Sequence, residues 1–130
     1  MMNLSEIKNE EQKRVDQLMK DCKVFFAFSH DQFEKGKTKL RENEKYISLG
    51  AGGYMPEGYF LKFREGMDEI KLWKGLEIKK GKLEEAEILD AFENFECFYT
   101  GDLVDTFELF EGIYSKEYIR NVYLKNLKNK

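Results

Sequence analysis

From Leu83 to Ser115 the chain carries no lysine or arginine, yet the same stretch holds Glu84, Glu85, Glu87, Asp90, Glu93, Glu96, Asp102, Asp105, Glu108 and Glu111. A segment of this kind either stays solvated or folds with its acids turned outward, because burying an unpaired carboxylate is strongly unfavourable. Phe92, Phe95, Phe98, Tyr99, Phe107 and Phe110 are threaded through it, and solvated acidic tails are poor in aromatic residues. The stretch is therefore read as folded, with an anionic outer face.

The rest of the chain frames that segment. At 130 residues, 42% of them hydrophobic and 15% aromatic, the chain fits one domain over 1–130, with a helix over 1–22 and an α+β body over 23–130. The net charge of -3 conceals polarity: Lys71, Lys74, Lys79, Lys80 and Lys82 precede the acids, and Arg120, Lys125, Lys128 and Lys130 follow them. A pI near 5.4 argues against direct nucleic-acid binding over the whole surface, since phosphates demand clustered lysine and arginine. Cys22 and Cys97 are far apart, each in an apolar stretch, and the start of the chain lacks a hydrophobic signal sequence. The expectation is a reducing cytoplasm with both thiols as small buried hydrophobes. No zinc-ligand spacing occurs, and the longest apolar run, 24–28, is far short of the ~20 residues that cross a bilayer.

Local periodicity then assigns elements. Leu4, Ile7, Val15, Leu18 and Met19 mark an amphipathic helix over about 3–20. The β-branched and aromatic run at 23–28 predicts a buried strand, and Ser29 with Gln32 forms a capping box that opens a helix over about 30–40. A polar turn at 41–44 precedes a second strand at 46–49. The glycines at 50–53 stop it, and Pro56 suits the first position of a helix whose apolar stripe is Phe60, Phe63, Met67, Ile70 and Trp73. Residues 76–78 read as a third short strand or a connection. Leu83, Ala86, Leu89, Phe92 and Phe95 line the inner face of an acidic helix. Asp102 caps a helix reaching Phe110, and Ser115 caps a last helix with Ile119, Val122, Tyr123 and Leu127 inward.

The strings 25–29 (FFAFS), 48–56 (SLGAGGYMP) and 99–103 (YTGDL) together resemble a group of small proteins encoded by phages, plasmids and other mobile elements of gut-type and low-GC bacteria, over about 23–125. The resemblance implies an accessory or host-interfering protein and carries no catalytic residues with it.

Candidate chemistry is sparse. Gly50, Gly52 and Gly53 follow a strand, where backbone N–H groups can cradle an anion; yet no Gly-Lys-Ser/Thr follows, Met55 occupies the place of a third small residue in a dinucleotide fingerprint, and a tight turn needing positive φ accounts for the glycines equally well. Ser29, His30 and Asp31 supply the residue types of a hydrolase triad, but adjacent residues on a cap do not aim at one another. Glu93 with Glu96, and Asp102 with Asp105, are carboxylate pairs at i, i+3 that would share a helix face and hold Mg²⁺ or share acid–base work, were a third ligand group or a nucleophile present.

The expected fold is α+β, mainly helical, with two or three short strands covered by helices. The expected function is a non-enzymatic interaction protein without a cofactor or a metal. Its Glu87, Asp90, Glu93, Asp102, Asp105 and Glu108 face a basic, nucleic-acid-binding host protein, as an anti-CRISPR or other anti-defence inhibitor would. Two alternatives stand beside it: a nucleotide- or anion-binding protein using Gly50 to Pro56, and an oligomer in which the acidic face meets the basic last helix of another copy.

Overall fold

The computed structural model describes residues 1–37 and 44–127, which form helices with one small antiparallel sheet. The chain is a mainly helical α+β protein. It separates into two compact units, Ser5–Leu76 and Met1–Leu4 with Glu77–Lys130.

In the Ser5–Leu76 unit, the predicted first helix is α1 (Leu4–Asp21), with Ile7 buried on its apolar face. The chain leaves α1 through Lys23 at φ 61, with Val24 N–H donating to Met19 O at 2.8 Å. That i to i−5 bond around a left-handed residue is a helix-ending turn usually given to glycine. It consumes the first two residues of the expected strand. Accordingly β1 is only Phe25–Phe26, and it is not a buried strand: Phe26 is 55% exposed and Phe28 77% exposed.

Ser29 caps α2 (His30–Gly36), its Oγ accepting from Gln32 N–H. The Gln32 amide accepts in return from Phe28 N–H at 2.7 Å, one residue earlier than the standard box. The end of the predicted helix at 38–40 and most of the turn at 41–44 lie outside the described residues.

The second strand is β2 (Tyr46–Gly50), and the glycines after it turn the chain back into β3 (Gly53–Pro56) instead of launching a helix. Gly50, Ala51 and Gly52 have φ of 87, 49 and 81. Two left-handed residues in a two-residue loop match the twist of a hairpin; the positive φ was expected of a tight turn here, but the return strand was not. The pairing slips between Ser48 and Gly50, leaving one extra residue on β2. The sheet order is β1-β3-β2, all antiparallel. Phe25, Phe33, Tyr46 and Tyr54 pack between sheet and α2 with ring centroids 4.9–5.8 Å apart.

Pro56 ends β3, and after a single 3-10 turn at Glu57–Tyr59 comes α3 (Phe60–Lys80). It runs through Gly75 and the expected third strand at 76–78, because Ile78 continues the stripe of Phe63, Met67, Ile70 and Trp73 at helical spacing. Against α1 it lies antiparallel: Arg14 stacks on Trp73 at 4.1 Å, Lys74 bridges Glu11 at 3.2 Å, and a side chain at Gly66 would strike Leu18 at 2.5 Å. Gly66 is thus a close-approach position rather than a break.

The other unit is helical. Lys82 at φ 56, with Leu83 N–H donating to Ile78 O at 2.9 Å, repeats the ending seen at Lys23. It leads into α4 (Glu84–Asn94), α5 (Cys97–Thr100), α6 (Val104–Leu109) and α7 (Lys116–Leu127). Ile88, Ala91, Phe92, Cys97, Phe110, Ile119 and Val122 form the core, with Leu89, Phe98, Phe107, Tyr114 and Tyr123 packed around it. Each fully buried Ile or Phe contributes about 1.5–3 kcal/mol by leaving water.

Of the predicted inner face of α4, Phe92 is buried and Leu89 packs against the core, but the buried stripe is completed by Ile88 and Ala91, while Leu83 is the cap residue and Phe95 is exposed. Ser115 caps α7 as expected, accepting from Tyr118 N–H at 3.0 Å.

Candidate functional site

The lysine-free stretch occupies α4 to α6, and its acids divide into two sets. The first set is half-buried on α4. Glu85 accepts from Lys125 at 3.1 Å and from Asn126 at 3.2 Å, and those hydrogen bonds, Asn126 foremost, hold its carboxyl below the usual carboxylate range. Half-buried Glu87 accepts from Tyr114 Oη at 2.9 Å. Burial, that hydrogen bond and the charges of Glu87 and Glu84 push the Tyr114 phenol well above its ordinary value. Glu84 Oε1 is buried with no hydrogen-bond partner among the described residues, so this set bears a desolvation cost instead of presenting charge. Asp90 is also half-buried and accepts from Asn94 at 3.5 Å. Of the six acids expected to face a partner, Glu87 and Asp90 therefore turn partly inward.

The second set faces out. Glu93, Asp102, Asp105 and Glu108 are exposed. Asp102 also ties down the chain before α6, its Oδ1 accepting from Val104 N–H at 2.9 Å. It sits ahead of the helix, so Asp102 and Asp105 do not share a helical face as their spacing suggested. Asp105 and Glu108 do, one turn apart on α6. This face is not free of cations: Lys116 and Arg120 stand over the Phe107 ring at 5.8 and 5.2 Å, and a depression of about 340 Å³ joins Asp102, Phe107 and Arg120.

A second acidic part of the surface lies where α4 ends. Glu93 is in its last turn, which holds no basic residue. Glu96 follows in the linker at φ 54, so the two are not on one helix, although they converge. Phe92, Glu93, Glu96, Phe98 and Tyr99 line a cleft of about 410 Å³. Phe98 is fixed by stacking on Tyr123 at 5.2 Å and by an edge contact with Phe92 at 5.5 Å, while Tyr99 is 91% exposed. A carboxylate in the last turn of a helix, as Glu93 is in α4, is unfavourable by about 0.3–1 kcal/mol, since the dipole there is already negative; Glu96 is the N-cap residue of α5. Phe98 and Tyr99 were missed as site residues, and Glu96 was considered only as the carboxylate partner of Glu93, not as part of a docking face. Their signal, acids alternating with aromatics at 92–99, was visible, but the four-residue α5 that gathers them was not.

Elsewhere the chemistry is thin. Gly50, Gly52 and Gly53 lie in the hairpin between two strands; Gly50 N–H donates to Ser48 Oγ at 3.3 Å, Gly52 O accepts from Ala27 N–H at 2.8 Å, and the Phe28 ring lies over Gly52. His30 is exposed and lies 3.8 Å from Glu34, not against Ser29 or Asp31. Cys97 is fully buried with its Sγ 3.4 Å from Thr106 Oγ1, and burial raises the Cys22 thiol. Among the described residues no three His, Cys, Asp or Glu side chains gather into a metal site, and no helix is long and apolar enough to cross a membrane.

Residues 6–129 match a family of unknown function, DUF7659. The chain belongs to that family. No curated protein and no solved structure matches the chain. For this DUF7659 member the geometry of the acidic unit is therefore the sole guide to function.

Proposed function

We propose that this DUF7659 protein is a non-enzymatic interaction protein, an accessory or inhibitor of the mobile-element and anti-defence kind, that docks its acidic, aromatic surface on a basic, nucleic-acid-binding protein. The observation that carries this reading is the junction of α4 and α5, where Glu93 and Glu96 flank a Tyr99 ring left 91% exposed. Aromatic rings ringed by charge supply both parts of a docking face: the ring gives contact area once desolvated, and the charges raise the association rate. Exposed Asp102, Asp105 and Glu108 extend the negative surface along α6, and exposed Val104 and Leu109 add apolar contact.

The test is capture from a lysate of the native host, followed by a nucleic-acid-binding assay on the captured protein. Addition of the wild-type chain should displace nucleic acid from it. The triple reversal Glu93→Lys, Asp105→Lys and Glu108→Lys should abolish displacement with an unchanged circular dichroism spectrum, and displacement that survives the reversal would end this reading.

A further inference from the structure

We propose that the cleft of Phe92, Phe98 and Tyr99, rimmed by Glu93 and Glu96, receives the side chain of one arginine from a basic segment of the partner. This rests on the reading of the acidic surface as a protein-docking face and makes the cleft its anchoring pocket.

The lining is mainly apolar, with the exposed Tyr99 ring and the half-buried Phe98 at its surface and the buried Phe92 beneath, and the rim is anionic. Among the described residues no ion pair or side-chain hydrogen bond reaches either rim carboxylate, whereas Glu85 and Glu87, on the same helix, are satisfied by Lys125, Asn126 and Tyr114. The rim also sits at the negative end of α4, so three sources of negative potential converge on one apolar hollow. A cation answers all three at once. An anion is repelled, and a purely apolar side chain would desolvate two carboxylates with nothing to pair them.

Among cations the arginine side chain fits the lining better than lysine. Its planar guanidinium stacks on ring faces while its fork of N–H donors meets carboxylate oxygens, and it is less strongly hydrated than an ammonium. Inside the fold both cations lie over rings, and the guanidinium groups come closer: Arg14 over Trp73 at 4.1 Å and Arg120 over Phe107 at 5.2 Å, against Lys37 over Phe33 at 5.3 Å and Lys116 over Phe107 at 5.8 Å. The proposed contact repeats that stacking, with a partner supplying the guanidinium.

The experiment is an NMR titration of the full chain with a blocked Gly-Arg-Gly peptide, its lysine counterpart and its citrulline counterpart, which keeps the shape of arginine without the charge. The Phe98 and Tyr99 ring signals and the Glu93 and Glu96 carboxylate signals should shift saturably with the arginine peptide. Citrulline should bind at least tenfold more weakly, and lysine more weakly than arginine. Glu93→Gln with Glu96→Gln should lower arginine-peptide affinity at least tenfold while the thermal midpoint is kept or raised, and Tyr99→Ala should weaken it as well.

The absence of a saturable shift at the cleft, equal binding of citrulline, tighter binding of lysine, or shifts centred on Asp105 and Glu108 would each overturn the assignment. The docking reading is judged separately: if Asp105→Lys with Glu108→Lys abolishes nucleic-acid displacement while the arginine peptide leaves the cleft unshifted, the surface docks and this pocket is not its anchor.

Discussion

The two ends of α4 carry the same residue type and do opposite things with it. Near its start, Glu85 and Glu87 are held by Lys125, Asn126 and Tyr114, so the acids become part of the packing of α4 on α7. At its end, Glu93 and the following Glu96 turn to solvent beside aromatic rings. A charge run in a sequence is thus not a charge surface in a fold. What decides is whether a distant segment brings a donor: α7 and the turn before it bring Lys125, Asn126 and Tyr114 to the first half, whereas to the second α7 brings the Tyr123 ring.

That contrast can be broken at its shared element first. Phe92 belongs to both halves, as a fully buried core ring that also underlies the cleft. Phe92→Ala should cost about 3–5 kcal/mol, read as a shifted urea midpoint, and a loss below about 1 kcal/mol would show that the core does not centre there.

Next in size is the Tyr114 pair. Tyr114→Phe removes a hydrogen bond to a carboxylate and should cost about 1.5–3 kcal/mol at neutral pH. Because the folded phenol titrates above its unfolded value, its stabilisation is complete below about pH 10 and declines above that. The wild-type chain should therefore lose stability in that alkaline range, and Tyr114→Phe should lose less of it. Parallel pH profiles would contradict the assignment.

Glu93→Gln reverses the sign of the effect. Removing a negative charge from the end of α4 should stabilise the fold by about 0.3–1 kcal/mol, seen as a raised thermal midpoint, where Glu87→Gln should lower it. Lys125→Ala is the smallest perturbation, no more than about 0.5 kcal/mol for a pair this exposed. Glu85 has a lowered carboxyl, so its contribution is present at neutral pH and fades as pH falls through the acidic range. Lys125→Ala should flatten the thermal midpoint between pH 3 and 6, and an unflattened profile would show that Asn126 alone holds Glu85.

How far the sequence disclosed this fold depended on the range of the interaction. α1, α2 and α7 follow from periodicity and from caps such as Ser29 and Ser115, which act within four residues. The hairpin did not, because Pro56 suits both a helix start and a strand end, and the choice rests on Phe25 and Ile47 pairing across to Tyr54 and Met55. The helix through Gly75 was hidden because a glycine costs only about 1 kcal/mol there, less than burying Ile78 returns. In the candidate site the outward acids of α6 were legible. The inward turn of Glu87 was not, since its partner lies 27 residues away.

The two cysteines offer a built-in clock for each half of the chain. Cys22 belongs to the Ser5–Leu76 unit and Cys97 to the other, and both are sealed from solvent. A thiol reagent can reach either sulfur only when its own surroundings open, so labelling rates of Cys22→Ser and Cys97→Ser variants would time the breathing of each unit independently and show whether they come apart together.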